Sequence, residues 1–385
     1  MIKSCRSPSP VVFYISGHGL GHASRSCEIV RAFICSYPEI PVRLVSAAPD
    51  WFIRERLGDV AACLEQRALD VGLVQVDPIR VDRQLSAARV AELLQRWDAL
   101  TDGEAAYLKE TSAGAVVCDV PAVPVDAAHR LGIPAIVSGN FTWDWIYQAY
   151  DDGSGVWKRA VARFQKAYAC ADLLLKMPFS PSMDIFDRQI EIPLVAAPGR
   201  NRRSRLEAIL GVPRERLLVL LAFSSLPLGP QAMDGLARDT GVRFLVIEPA
   251  EVRHRGFQAV SRRAMPFGDL IASVDVVVSK AGFGIVSDCI ANRKPLVLVE
   301  RPDFPESELL VREAPEYIPC RTVSAEEFYQ GNFLEAVYAV AMDRTPKRPA
   351  VMGGATLAAE WIRKMWYPAG KSSSDGLSSG RRCRE

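Results

Sequence analysis

Two glycine-rich stretches carry the residues best able to do chemistry. The first, YISGHGLGHASRS at residues 14 to 26, interleaves Gly17, Gly19 and Gly21 with His18, His22 and Arg25, between an apolar run and a helix-like pattern. Glycines placed directly after a strand and before a helix let backbone approach a ligand and expose helix amides, which can hold an oxyanion or a sugar phosphate. Arg25 is grouped with that phosphate-binding loop. A histidine at the mouth of a cleft suits general-base work on a hydroxyl. The plainer reading is that His22 caps the helix and Arg25 pairs with an acid on the surface.

The second stretch, VVVSKAGFGIVSDCIANRKPLVLV, runs a strand into Ser279, Lys280 and Ala281; Gly282 and Gly284 then open a helix that contains Ser287 and Asp288. Backbone amides at such an N-terminus can bind a diphosphate without a metal. Asp288 could accept hydrogen bonds from a ribose diol, or be a solvated acid favoured by the helix dipole. Lys280 either pairs with phosphate or snorkels, and the two glycines could equally mark a tight turn.

Several other chemistries fit poorly. The dinucleotide fingerprint G-x-G-x-x-G fails because His22 occupies its third glycine position, and the second predicted strand ends in SAA without an acid for the ribose. That weakens an NAD-linked oxidoreductase. No G-K-[ST] follows for a P-loop. His18 and His22 lie across a bend with no third ligand spaced to them, so no metal centre is expected. Asp119, ending the run AVVCD, could orient a histidine or bind an acceptor, or serve as N-cap of the next helix. Asn140, Trp143, Asp144 and Trp145 are the candidates for acceptor binding; the aromatics from Phe141 to Tyr150 could stack on a sugar, or pack between domains.

These residues need a frame. Short β-branched runs alternate with helical periodicity from residue 11 onward, the pattern of βαβ units and a mostly parallel sheet. VVFYIS, VRLVSAA and VGLVQVD read as the first three strands, Leu85 to Thr111 as a long helix, and DLLLKMP as the last strand of this half. Residues 179 to 205, with PGRNRRSR, read as a linker. A second βα series follows, with helices expected over Ala325 to Met342 and Ala355 to Met365. The chain thus divides into an extension 1–10, Rossmann-like domains 11–200 and 201–366, and a tail 367–385 whose Ser, Gly and Arg content predicts disorder. In open α/β sheets ligands sit beyond the carboxyl ends of the strands, so two such halves are expected to face each other across a cleft.

Composition narrows the class. The 385 residues are 49% apolar and 24% charged with a net charge of +2. The first 200 carry 21 basic and 23 acidic residues and the rest 26 and 22, without the basic bias of a nucleic-acid binder. Nine cysteines at irregular spacing fit reduced thiols in a cytoplasmic protein. No run approaches the ~20 apolar residues of a membrane span, so any membrane contact would be peripheral.

Together the two loops resemble those of the two-domain glycosyltransferases of the GT-B fold. The stretches GHGLGHASR, DVPAVPVDAAHRLGIPAIVSGNFTWDWIY and DVVVSKAGFGIVSDCIANRKPLVLVERPDFPE are similar to the glycosyltransferase-like N-terminal region of L-arabinokinases and its stand-alone bacterial counterparts. The sugar-kinase domain of L-arabinokinases has no match here, so kinase activity is not implied. The resemblance implies transfer of a sugar from a nucleotide-sugar donor, UDP-linked by expectation, to a saccharide or glycolipid hydroxyl, with no metal or other cofactor. It puts Ser279, Lys280, Gly282 and Gly284 around the diphosphate, Asp288 at the ribose, and Asp303 and Glu306 before the transferred sugar. His22 matches the histidine that ends the glycine loop of a GT-B relative, the peptidoglycan N-acetylglucosaminyltransferase, and His18 lies nearer the acceptor; which is the base stays open. A non-catalytic protein that binds sugar nucleotides is the alternative.

Overall fold

The computed structural model describes residues 8–58, 62–153, 155–211, 216–345 and 347–366. The expected tail 367–385 and most of the extension 1–10 lie outside the described residues. The chain forms two compact α/β units. Unit 1 holds Arg83–Val195 with the described parts of 1–73 and 353–385; unit 2 holds Val74–Asp82 and Ala196–Met352. The division therefore differs from the expected 11–200 and 201–366 in two segments. Residues 74–82 serve the second unit, and the Gly354–Met365 helix serves the first, where it packs on the Leu20–Ser36 helix.

Unit 1 is built on a seven-stranded sheet of β1 (Val11–Ile15), β2 (Val42–Ser46), β3 (Cys63–Gln66), β4 (Ala115–Asp119), β5 (Ala135–Gly139), β6 (Leu173–Lys176) and β7 (Gln189–Glu191). Its order is β3-β2-β1-β4-β5-β6-β7, and every pairing is parallel. β1, β4 and β5 are buried from end to end, as expected for central parallel strands covered on both faces. Unit 2 carries β8 (Leu217–Leu221), β9 (Val242–Ile247), β10 (Phe257–Val260), β11 (Val276–Lys280), β12 (Leu296–Val299) and β13 (Cys320–Val323). They are ordered β10-β9-β8-β11-β12-β13, again all parallel. Both sheets thus have Rossmann-like order, with the reversal of direction falling between β1 and β4 in one and between β8 and β11 in the other. Those two crevices, beyond the carboxyl ends of the strands, are where such folds bind ligands.

Three expected elements differ. The run VGLVQVD forms no strand: Gln75 and Val81 make one antiparallel bridge, and the third strand is the less apolar Cys63–Gln66. The apolar run is explained by its duty to both units, since Leu73 is buried in unit 1 and Ile79 belongs to the aromatic-rich core of unit 2. The predicted linker contains β7, so β6 is not the last strand of its sheet. The helix expected over 325–342 is two, Ala325–Gln330 and Leu334–Met342, parted at Gly331 with φ +79°.

Candidate functional site

In unit 1 the register pairs Ile15 with Asp119 across the reversal between β1 and β4. The chain leaving β1 is held close to the loop after β2: a Cβ on Gly17 would lie 2.8 Å from that of Ala47. Gly19 has φ +74° and precedes the helix with no side-chain cap. Gly21 falls in the helix's first turn, and His22, Arg25 and Ser26 follow on its buried side.

These three side chains converge on Asp119, which is 3% exposed. His22 Nδ1 lies 2.9 Å from Asp119 Oδ1. Arg25 donates from Nε to Oδ2 at 2.7 Å and from Nη2 to Oδ1 at 2.5 Å, and Ser26 Oγ donates to Oδ2 at 2.6 Å. Burial alone would raise the Asp119 carboxyl, but Arg25 and then His22 more than offset it and hold the group far below the usual carboxylate range. Asp119 is therefore no helix cap: the next helix begins at Val123 with Ala122 in the capping position. Arg25 is not a surface residue. It is buried, and its Nη1 donates to Asn140 Oδ1 at 2.5 Å while Nη2 lies 3.0 Å from His22 Nδ1.

The aromatics wall this cluster. His22 meets the Phe141 ring edge-on at 5.5 Å, and His18 meets Trp143 edge-on at 5.3 Å. Trp143 stacks on Tyr147 and is fully buried, as is Asn140; Asp144 is buried too, and Trp145 half-buried. Of the expected acceptor residues, then, Asn140 and Trp143 position other side chains. One participant carried no motif. Asp70, in the loop after β3, accepts from Trp143 Nε1 at 2.9 Å. Burial raises its carboxyl, against hydrogen bonds from Ser16 and Trp143 and the nearby His22. Gly72, at φ +56°, seats His18: an added Cβ would lie 2.4 Å from the ring Nδ1.

In unit 2 the reversal lies between β8 and β11, and Ser279 bridges it by donating from Oγ to the Ala222 carbonyl at 2.8 Å. That hydroxyl is buried and serves the sheet. The Phe283–Ala291 helix starts after Gly282 without a side-chain cap. A Cβ on Gly282 would meet nothing within 4 Å, so the space before the helix N-terminus is open there. Gly284 sits in the first turn. Ser287 Oγ is buried with no hydrogen-bond partner among the described residues, and Asp288, the next residue, is buried too. Asp303 is half-buried and Glu306, the first residue of the Glu306–Glu313 helix, is buried. Burial and then Arg301 bring the Lys280 ammonium down to about 7, against Glu306 and Asp77. Arg301, which no motif flagged, is 4% exposed and lies 4.3 Å over the Phe304 ring. Among the described residues no cluster of His, Cys, Asp and Glu is arranged to hold a metal, and no helix is long and apolar enough to cross a membrane.

Two Rossmann-like units carrying these loops define the GT-B class of fold, and solved structures similar to the chain are glycosyltransferases. A UDP-glucosyltransferase from Polygonum tinctorium matches 94% of this chain and 99% of its own at TM-score 0.59 and 14% identity. UGT89C1 of Arabidopsis thaliana, complexed with UDP-L-rhamnose, matches 94% and 99% at TM-score 0.62 and 12% identity. CalG4, the calicheamicin glycosyltransferase, matches 93% of each chain at TM-score 0.57 and 14% identity. In sequence the chain is similar to L-arabinokinase of Arabidopsis thaliana, 29% identical over 382 residues and 97% of this chain. It spans 36% of that relative's length. No protein-family model matches.

Proposed function

We propose that the chain transfers a sugar from a UDP-linked donor to an acceptor hydroxyl without a metal, unit 2 holding the donor and unit 1 the acceptor and base. The observation that carries this reading is the His22–Asp119 pair at the β1/β4 reversal. With Nδ1–H donating to Asp119, Nε2 keeps a lone pair and can take the acceptor proton as the oxygen attacks the anomeric carbon. The bond from that carbon to the diphosphate breaks, and its electron pair leaves with the phosphate. Amides beyond Gly282 and the Lys280 ammonium meet the developing charge. Asp288 takes the ribose hydroxyls, and Asp303 and Glu306 those of the sugar. The glycosyltransferases among the similar structures, one complexed with UDP-L-rhamnose, support the donor class.

A second reading, a sugar-nucleotide binder without turnover, is favoured by one contact: Arg25 Nη2 stands 3.0 Å from His22 Nδ1. A guanidinium donating there would require the lone pair on Nδ1 and leave the proton on Nε2, where no base remains. The test is a thermal-shift screen with uridine, guanosine, thymidine and adenosine diphosphates, followed by transfer assays with the matching nucleotide sugars, in the presence of excess chelator. A ligand at 100 times its dissociation constant stabilises by about 2.7 kcal/mol. A melting-point rise with UDP and chelator-resistant transfer are expected. Stabilisation without transfer over a broad acceptor panel selects the binder; no shift with any diphosphate overturns both.

A further inference from the structure

β11 ends at Lys280, paired with Val299 of β12, so its side chain starts at the carboxyl edge of the sheet, immediately before the uncapped helix N-terminus. The charged groups that act on it come from three places. Arg301, two residues beyond β12, is a buried cation fixed over Phe304 and held through its own backbone amide to Ser307 Oγ at 3.1 Å. Glu306 stands at the start of the following helix. Asp77, on the 74–82 segment, is already engaged. It accepts from the amides of Ile79 and Arg80 at 2.8 and 2.9 Å, from Arg80 Nε at 2.8 Å and from the Tyr329 hydroxyl at 2.9 Å.

A permanent guanidinium thus shares the edge with a group whose charge can change. Arginine does not deprotonate, whereas a lysine short of water readily does. Resting on the donor reading of unit 2, we propose that seating a nucleoside diphosphate at this edge draws one proton from solvent onto Lys280, so that binding is proton-coupled and weakens in alkali. Burial and the Arg301 charge disfavour the ammonium and bring it to about 7. A diphosphate brings the negative charge that reverses that balance. If the bound lysine is fully protonated, linkage gives an uptake of about 0.5 proton near pH 7 and about 0.9 near pH 8, with affinity falling about tenfold per unit further up.

Calorimetric titration of the intact protein with UDP, GDP, dTDP and ADP near pH 8, in Tris and in HEPES, reads the uptake from the difference in apparent heat. At that pH the terminal phosphate, titrating near 6, is already ionised. Uptake of about 0.9 proton is expected, with affinity about eightfold weaker near pH 8.5 than near pH 7.5. Lys280→Arg, charged throughout, is expected to bind with no uptake and no such pH dependence. Wild-type binding without uptake, or uptake retained in Lys280→Arg, overturns the inference and leaves the donor reading standing. Absence of binding by all four diphosphates overturns both. The wild-type titration decides even if the variant does not fold.

Discussion

Replacing Asp119 by alanine tests whether the cluster behind His22 is a single charged network. In the intact protein Asp119 accepts two hydrogen bonds from Arg25 and one from Ser26 and pairs with His22, all within 2.5–2.9 Å. Alanine takes the carboxylate partner from the Arg25 guanidinium, 3% exposed, which keeps its contacts to Asn140 and the His22 ring. Removing the charged partner of a buried ion of this kind costs about 3–5 kcal/mol. At about 2–4 °C per kcal/mol for a unit of this size, the melting temperature falls by about 6–20 °C. Arg25→Met is expected to be milder, because Asp119 keeps its contacts to His22 and Ser26. The double variant removes both charges, so its loss should fall short of the sum by about 2 kcal/mol, within the range for contacting residues. Urea unfolding followed by tryptophan fluorescence measures all three. Because the folded carboxyl titrates far below the unfolded value of about 3.9, its contribution is complete above about pH 4 and declines as pH falls toward the folded value. Additive single losses, or an Asp119→Ala loss under about 1 kcal/mol, would refute the network.

Gly72→Ala forces a Cβ to within 2.4 Å of the His18 ring at a backbone position of φ +56°. A loss of about 1–2 kcal/mol from the left-handed backbone is expected, together with altered Trp143 emission as His18 leaves its ring; unchanged emission and turnover would mean that His18 is a bystander. Asp70→Asn has the opposite pH signature to Asp119. The raised folded value means that Asp70 contributes stability below about pH 4, lost as pH rises through that value. The wild-type advantage over Asp70→Asn should therefore shrink between acid and neutral urea titrations, and an advantage that grows would contradict the burial argument.

Much of the frame was legible because central parallel strands advertise themselves. VVFYI and AVVCD are continuous apolar runs, and each carries its chemistry in the residues at or just beyond its carboxyl end. Edge strands do not: CLEQ is partly exposed along its length, so hydrophobic pattern passed over it for the richer VGLVQVD. That run owes its apolarity to two cores rather than to one pleated surface. The Gly354–Met365 helix shows a related limit, since an amphipathic face states that something covers it but not which unit does. Asp70 left no periodic trace, being one acid in a loop whose meaning comes from Trp143 Nε1. Arg301 left a fainter signal, a cation directly beyond a buried strand, where parallel sheets place ligand contacts.

The residue that most constrains the chemistry of unit 1 is Arg25 rather than either histidine. A lone carboxylate beside an imidazole both orients it and stabilises the positive charge it gains on taking a proton. Here the orientation survives, because His22 and Asp119 remain at 2.9 Å. The electrostatic help is divided, because the guanidinium stands 3.0 Å from the same ring nitrogen and opposes the carboxylate at almost equal distance. Under the proposed transfer, the charge state of Lys280 and the open helix end of unit 2 would then be the larger lever on rate. Removing the Arg25 charge while keeping Asp119 would leave the carboxylate alone beside the His22 ring at 2.9 Å, at the expense of stability.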